Sequence, residues 1–535
     1  MNGMRIFFVA LILSVTLLSN GQSKVDVLDY KFSIELNDKN DTIYGAAQIK
    51  LRLLNKPTII IDLALQNRSN GKGMIVDSIN RGREVRYIEY PGGQRIGLQF
   101  SDKNLRHDDT LDLTIFYHGV PEDGLIISKN KYGRRTFFAD NWPNRAHHWI
   151  PCVDDPADKA TVEFLVTAPS HYSVVSNGIM IEQTSLPGNK KLTHYKEDVP
   201  LPTKVMVIGV ADFAVNLAGV VNCVPVYSWV FPEEKKKGFY DYALAKDILS
   251  YYINYIGPFP YKKLANVQSK TIFGGMENAG AIFYHENSID GKRGEEYLLA
   301  HEIVHQWFGD MATEKSFPHL WLSEGFATYL THLYAESKLG FVQFNERMKN
   351  DRNEIIDFVR SSPKAVVDSV TPSLQLLNAN SYQRGSWVLH MLRRQFGDSI
   401  FQLSIRTYYD QYKGKNADTK DLQAVFEKVS KSKLDTFFRQ WLYTAAIPKL
   451  DINWKYDKTG KKLLISIKQL QKSSPFSFPL AVYIQPGGST NASVQFVTVN
   501  KEQETFILPM ESKPVTIKFD PYASLLFEGK ITENK

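Results

Sequence analysis

The segment "AHEIVHQWFGD", residues 300–310, constrains the fold of this 535-residue chain more than any other. It places His301 and His305 four positions apart, so on a helix of 3.6 residues per turn both imidazoles project from one face and can share a metal ion. Glu302 follows the first histidine, where its carboxylate stays off the metal but near a metal-bound water. The pattern predicts a helix with two zinc ligands and a general base. Two histidines on an ordinary surface helix are the alternative.

A third zinc ligand is expected on a second helix. Glu324, in "WLSEGFATYL", lies 19 positions after His305, beyond a glycine that ends the first helix and a loop that contains Pro318. That length allows the second helix to fold back beside the first. A catalytic zinc ion takes three protein ligands and keeps one position open, so we expect one Zn²⁺ per chain on His301, His305 and Glu324. The alternative is that Glu324 only stabilises the first turn of its helix through the helix dipole.

The spacing of apolar residues divides the chain into three regions. From residue 25 to about 219, segments such as "YKFSIEL" and "AQIKLRL" alternate apolar and polar residues, which indicates half-buried antiparallel strands. From about 238 to 446 the spacing becomes helical, and after 448 short strands return. The predicted domains are an all-β domain over 23–220, a catalytic domain over 221–446 and a small β-sandwich over 447–535.

The first 22 residues have the layout of a secretory signal peptide. One basic residue, Arg5, precedes a mostly apolar run from Ile6 to Leu18, and small and polar residues follow. The run is shorter than the ~20 residues that span a bilayer, so we expect cleavage near Gly21 or Gln22. The mature protein is then exported, periplasmic or extracellular, with no stable membrane span. An uncleaved membrane anchor is the alternative.

Charge and cysteine content narrow the choice of partners only slightly. The net charge of +7 is spread over 64 basic and 57 acidic residues without a basic face or a nucleic-acid motif, so we expect no nucleic-acid partner. The two cysteines, Cys152 and Cys223, are too few for a disulfide scaffold. The sequence leaves open whether they pair, and it leaves the oligomeric state open.

Four motifs occur in a fixed order along the chain: "GGMEN" from residue 274, "HEIVH" from 301, "WLSEGFA" from 321 and "YQRG" from 382. In this order they resemble the aminopeptidase N and leukotriene hydrolase family of zinc peptidases. The resemblance extends to "PCVDDPADKATVEF" upstream and "FFRQWLYTAAIPKL" downstream. It implies a multidomain fold with an N-terminal all-β saddle domain, a thermolysin-like α/β catalytic domain and a C-terminal β-sandwich. It also implies a short bacterial-type member, without the C-terminal helical domain of larger relatives.

The resemblance implies roles that spacing alone does not assign. Tyr382 matches the family's tyrosine that donates a hydrogen bond to the oxyanion opposite zinc. Glu277 matches the carboxylate that binds the α-ammonium group of a peptide together with the metal ligand Glu324. A glycine bulge with a solvated glutamate is the alternative. Adjacent glycines let the backbone approach a peptide that adds as a strand to the sheet edge. The substrate-binding residues expected in this segment are Gly274, Gly275, Met276, Glu277 and Asn278.

Two departures from the family pattern concern the same site. Shortly before the Pro-Cys-x-Asp stretch the family carries a Gln-x-Glu pair, where this chain has Asp140 and Trp142. We expect Asp140 to take part in substrate binding, and the bulk of Trp142 could instead shape the first pocket. Ser323 replaces the asparagine that usually precedes the third ligand.

These patterns together predict an exported zinc aminopeptidase that releases single residues from peptides with a free N-terminus. Glu302 is the expected general base and Tyr382 the expected oxyanion donor. A zinc endopeptidase, which would not need Glu277, is one alternative. A non-catalytic peptide-binding protein on the same scaffold is another. The preferred first residue is not predicted, since pocket walls come from distant segments.

Overall fold

The computed structural model describes residues 25–534 except 55–57, 81–84, 91, 101–104 and 489. The predicted signal peptide over 1–22 lies outside the described residues. Within these described ranges, no helix is both long and apolar enough to cross a membrane.

The N-terminal region folds as a β-domain, as predicted. Its strands are β1 (Val25–Glu35), β2 (Ile43–Leu53), β3 (Thr58–Asp62), β4 (Gly73–Asn80), β5 (Val85–Glu89), β6 (Arg95–Phe100), β7 (Thr110–Val120), β8 (Leu125–Lys129), β9 (Arg135–Ala139), β10 (Lys159–Pro169), β11 (Ser173–Ser176), β12 (Ile179–Leu186), β13 (Lys190–Pro202) and β14 (Ile208–Ala211). They form sheets in the orders β12-β13-β10-β1-β2-β7-β4, β11-β14-β9-β8 and β3-β6-β5. Cys152 is buried, Cys223 is exposed and both are free thiols, so the chain has no disulfide between them.

The middle region is built on a mixed five-stranded sheet. Its strands are β15 (Ala214–Val221), β16 (Val224–Val230), β17 (Leu264–Ser269), β18 (Gly275–Met276) and β19 (Ala281–His285), in the order β15-β16-β17-β19-β18. Because β15 pairs with β16, this sheet begins at residue 214, a few residues before the predicted domain boundary at 220. The β-like alternation continues through β15, so the sequence pattern does not mark the change of sheet.

Helices account for most of the rest of this region. They are α1 (Lys235–Tyr242), α2 (Ala245–Tyr255), α3 (Glu296–His305), α4 (Trp321–Leu339), α5 (Phe341–Ser361), α6 (Gly385–Phe396), α7 (Asp398–Tyr412), α8 (Thr419–Ser430) and α9 (Asp435–Leu442), and β20 (Ala312–Glu314) pairs with β21 (Lys415–Ala417). α4 is buried along most of its length and packs against both α3 and α6. This packing brings the second helix beside the first, as the spacing predicts.

The C-terminal region forms two small antiparallel-rich sheets, in agreement with the predicted β-sandwich. Its strands are β22 (Lys449–Asp457), β23 (Lys462–Gln469), β24 (Phe478–Pro486), β25 (Ser493–Val499), β26 (Gln503–Pro509), β27 (Pro514–Phe519) and β28 (Glu528–Glu533), in the orders β26-β23-β22-β28 and β25-β24-β27. A partly buried ion pair connects this region to α5, with Arg352 Nη1 2.7 Å from Asp520 Oδ2.

Candidate active site

A cleft of about 450 Å³ lies where α3, α4 and β18 meet. The three predicted metal ligands, Glu302, Tyr382 and residues 274–277 all line it. Of the residues predicted to bind substrate, Asn278 and Asp140 are not among those that form its walls.

Three side chains in the cleft converge on one point. The Nε2 atoms of His301 and His305, both on α3, are 3.1 Å apart. Oε2 of Glu324, in the first turn of α4, lies 3.2 Å from His301 Nε2 and 3.3 Å from His305 Nε2. The structure therefore brings together the three residues predicted as ligands, and this group could hold a metal ion.

The far side of the His305 ring is fixed by two contacts. Its Nδ1 lies 3.1 Å from the carbonyl oxygen of Phe308 and 3.0 Å from Oγ of Ser323. A carbonyl oxygen can only accept, so Nδ1 carries the hydrogen and Nε2 keeps the lone pair that a metal requires. Ser323, one of the departures from the family pattern, therefore contacts a metal-ligand candidate directly and helps to orient it.

The backbone of β18 runs directly against the carboxylate of Glu302. A Cβ atom at Gly275 would lie 2.5 Å from Glu302 Oε1, whereas one at Gly274 would meet only the tip of Leu298 at 4.0 Å. Position 275 therefore requires glycine for close approach to the expected general base, and position 274 does not.

The environment of Glu302 suits a proton acceptor. Burial raises the pKa of its carboxyl well above the usual range. The charges of Glu277 and Glu324 add to the rise, while His305 opposes it. A raised pKa means a higher proton affinity of the carboxylate, which is the property that the predicted role of Glu302 requires.

Tyr382 enters the cleft from a single π-helical turn, Asn380–Arg384, immediately before α6. Such turns are rare and often occur at functional sites. The phenol ring stacks on the imidazole of His301, with ring centroids 5.9 Å apart. Burial raises the pKa of the Tyr382 hydroxyl well above its usual value, so the group stays protonated and can donate a hydrogen bond.

Two glycines bring the helix that carries Glu324 close to the turn that carries Tyr382. A Cβ atom at Gly325 would lie only 2.8 Å from the carbonyl carbon of Gly385. Because neither residue has a side chain, α4 and the start of α6 pack almost backbone to backbone. A ligand candidate and an oxyanion-donor candidate therefore share one cleft.

Glu277 follows the edge strand of the five-stranded sheet. Gly275 and Met276 of β18 pair with β19, and the order of strands places β18 at the edge. Glu277 is only 5% exposed and lines the cleft. Asn278 is fully buried, and its side-chain amide has no hydrogen-bond partner among the described residues. The structure thus brings Glu277 to the site, whereas the expected substrate contact of Asn278 is not supported.

Gln306 joins this edge segment to the helix of the histidines. Its Nε2 donates to the carbonyl oxygen of Glu277 at 2.6 Å and to Oδ2 of Asp310 at 3.0 Å. Its Oε1 accepts from the backbone N–H of Gly280 at 2.7 Å. No role for Gln306 was predicted from the sequence. Its position just after the two histidines, at the end of α3, was the one available signal.

Asp140 is already paired inside the protein. Its Oδ1 accepts from Arg145 Nη2 at 2.7 Å. Its Oδ2 accepts from the backbone N–H of Ile272 at 2.9 Å and from Thr271 Oγ1 at 3.1 Å. The expectation that Asp140 binds substrate is not borne out, because these contacts occupy a fully buried carboxylate. Asp140 instead fixes the chain that leads into residues 274–277.

Trp142, the other departure, does line the cleft. Its indole meets Phe273 and Phe317 edge-on, with ring centroids 5.9 and 5.8 Å away. Phe273 and a further lining residue, Leu377, were not predicted, because apolar residues from separate segments carry no spacing signal.

Two protein-family models match this chain, and the boundary between them lies close to the start of the five-stranded sheet. Residues 27–205 match the Peptidase M1 N-terminal domain. Residues 240–441 match the Peptidase family M1 domain, and this stretch contains the cluster of metal-ligand candidates together with Glu302, Glu277 and Tyr382.

Individual relatives and a solved structure agree with this assignment. The chain is 26% identical over 452 residues to probable aminopeptidase 2 of Sulfurisphaera tokodaii, covering 80% of this chain and 57% of that protein. It is 28% identical over 343 residues to glutamyl aminopeptidase of Homo sapiens, covering 61% and 36%. The chain thus spans less than two thirds of the length of these relatives. A crystal structure of Legionella pneumophila aminopeptidase A in complex with aspartic acid has the same fold, with a TM-score of 0.82 at 16% identity over 95% of this chain and 60% of that one.

Proposed function

The chain belongs to peptidase family M1, and from this premise we propose that it is a zinc aminopeptidase that removes single residues from the free N-terminus of peptides. One observation carries the proposal: a single cleft holds both a cluster of metal-ligand candidates and a separate buried carboxylate, Glu277. The cluster accounts for peptide-bond hydrolysis. Glu277 accounts for the restriction to the first bond.

The donor set suits one zinc ion. Donors about 2.0–2.1 Å from a tetrahedral ion stand about 3.3 Å from one another. The donor atoms of His301, His305 and Glu324 are 3.1 to 3.3 Å apart. Two imidazoles and one carboxylate leave the fourth position open for substrate or water. When bound, zinc supplies Lewis-acid polarisation of the scissile carbonyl and a water molecule of lowered pKa.

Glu302 and Tyr382 provide the remaining chemistry. Glu302 takes the proton of the attacking water and passes it to the leaving amine. The protonated hydroxyl of Tyr382 donates a hydrogen bond to the carbonyl oxygen as negative charge develops there.

Glu277 is proposed to bind the α-ammonium group of the substrate. Its carboxylate is almost completely removed from water, and a charge pair grows stronger as water is excluded. The edge of β18 can accept a peptide as an added strand, which aligns the peptide backbone along the cleft. An ammonium group held at Glu277 then leaves the first peptide bond facing the metal.

Product analysis with a free ten-residue peptide tests the proposal. We expect a ladder of products, each one residue shorter at the N-terminus, together with free amino acids. Removal of zinc with a chelator should abolish the ladder, and added zinc should restore it. Internal fragments would favour an endopeptidase, and tight binding without any product would favour a peptide-binding protein.

We also propose that the protein is exported, because residues 1–22 have the layout of a signal peptide. N-terminal sequencing of the protein purified from a bacterial host tests this directly. We expect a periplasmic or extracellular product that begins near residue 22. A cytoplasmic product that retains Met1 would contradict the proposal.

A further inference from the structure

One wall of the cleft is aromatic and closely packed. Trp142 is only 2% exposed, and its ring is held edge-on between Phe273 and Phe317. Phe273 immediately precedes the glycines of the segment that carries Glu277. The side chain of a peptide's first residue branches from the carbon next to its ammonium group, and Glu277, Phe273 and Trp142 all line the same cleft.

This part of the cleft offers no positive charge. None of the described residues that line it is Lys or Arg, and its ionisable groups other than the proposed zinc ligands are Glu277, Glu302 and Tyr382. Thr328 and Gln383 are its neutral polar side chains. An acidic first residue would therefore enter a cleft with no cation other than the metal.

The one cation that we find beside this wall among the described residues, the guanidinium of Arg145, is already hydrogen-bonded within the protein. The Arg145 guanidinium lies 5.9 Å from the Phe273 ring. Its Nη2 donates to Asp140 at 2.7 Å, its Nη1 to Asp123 at 2.9 Å and its Nε to the carbonyl oxygen of Trp142 at 2.8 Å. All three nitrogens have partners, so Arg145 has no free face for the carboxylate of a substrate.

We propose that Trp142 is a specificity-determining residue and that the cleft selects large apolar first residues, namely Leu, Met and Phe, over Ala, and rejects Asp and Glu. The inference rests on the proposed aminopeptidase function and names the substrate class of that site. A large apolar side chain packs against Phe273, the more exposed ring of this wall, and against the edge of the indole that lines the cleft, and leaves water. A carboxylate there loses water without gaining a partner and shares the cleft with the carboxylate of Glu277.

A panel of aminoacyl anilides with free amino groups tests the inference on the unchanged zinc-loaded chain. The extra buried surface predicts that kcat/KM for Leu, Met and Phe exceeds that for Ala by roughly tenfold or more. We expect Glu and Asp to be turned over at least roughly tenfold more slowly than Ala. Equal or faster turnover of the Glu substrate would overturn the inference and leave the aminopeptidase proposal intact. Turnover of none of these substrates would count against both.

Variants of Trp142 test whether this residue determines the preference for large apolar first residues. In Trp142→Ala the Leu-to-Ala ratio of kcat/KM should fall severalfold, because the wall that covers the Leu side chain is gone. Trp142→Phe keeps an aromatic wall and should show a smaller fall, which supplies a test if the alanine variant does not fold. Trp229→Phe changes a half-buried tryptophan on β16 that does not line the cleft and should leave the ratio unchanged. An unchanged ratio in the folded Trp142 variants would overturn the assignment.

Discussion

The two halves of the active-site cleft acquire their geometry in different ways. The histidines and Glu302 project from neighbouring positions of one helix, so their arrangement follows from local spacing. Residues 274–277 lie at a sheet edge and depend on distant residues. Asp140 of the β-domain holds the chain before them, and Gln306 holds the carbonyl of Glu277. In the half proposed to perform hydrolysis, the two histidines and Glu302 are thus placed by one helix, and Glu324 is added by α4. The half proposed to recognise the peptide end is placed entirely by tertiary contacts.

This difference predicts that substitutions in the two halves of the cleft change different kinetic parameters. Changes in the helical half should lower kcat and leave peptide recognition intact. Changes at the sheet edge or in its supports should weaken binding of the free N-terminus and spare the metal, with the exception of Gly275, whose backbone lies against Glu302 and which should act on kcat.

The largest effect is expected for Glu302→Gln. The amide keeps the shape of the side chain but cannot accept the proton, so kcat should fall by about 10³-fold with little change in KM. Zinc content, measured by atomic absorption, should stay at one ion per chain, because Glu302 is not a ligand. Turnover close to that of the unchanged chain would mean that another group acts as the base.

The second-largest fall in kcat is expected for Tyr382→Phe. Loss of the hydroxyl removes a hydrogen bond made mainly in the transition state, so kcat should fall by about 10²-fold while KM changes little. Tyr443→Phe, at a tyrosine that is 44% exposed, serves as the matched control. A rise in KM at constant kcat would instead assign Tyr382 to ground-state binding.

The two glycines of the edge segment form a natural pair of variants. Gly275→Ala places a methyl group against the Glu302 carboxylate and should displace it, so kcat should fall by roughly 10- to 100-fold in a folded, zinc-loaded protein. Gly274→Ala has open space around its Cβ and should remain within a few-fold of the unchanged chain. Similar losses in both variants would contradict the close approach at Gly275.

The smallest effect is expected for Gln306→Leu, which removes the tie between Glu277 and α3. Without it, the position of the carboxylate should become less defined, so KM for peptides with a free N-terminus should rise by roughly tenfold, with a smaller change in kcat. Gln375→Leu, at an exposed glutamine, is the control. A loss of kcat at constant KM would place the role of Gln306 in the helical half.

The same contrast explains what could be predicted from the sequence. The spacing of His301 and His305 predicts that both lie on one face of a helix, and the 19-residue interval to Glu324 predicts a second helix that folds back beside the first. In the structure all three side chains come together. By contrast, no pattern in the sequence indicates that Asp140 is already paired with Arg145 and Ile272. Pairing partners at a sheet edge are set by chain segments that meet only in the folded protein. For the same reason the support from Gln306 was not predicted, nor were Phe273 and Phe317 beside Trp142, although the bulk of Trp142 had suggested that it shapes the first pocket.

The central claim is that the Glu277 carboxylate restricts hydrolysis to the first peptide bond. The most direct measurement compares kcat/KM for one peptide with a free N-terminus and for its N-acetylated form, in the unchanged chain and in Glu277→Gln. Acetylation removes the positive charge that Glu277 is proposed to bind, and loss of one partner of a buried charge pair lowers affinity by roughly 10²-fold or more. The unchanged chain should therefore show a kcat/KM for the free peptide that exceeds that for the acetylated peptide by at least this factor. The preference should shrink strongly in Glu277→Gln at unchanged zinc content. Equal cleavage of the free and acetylated peptides by the unchanged chain would contradict the claim.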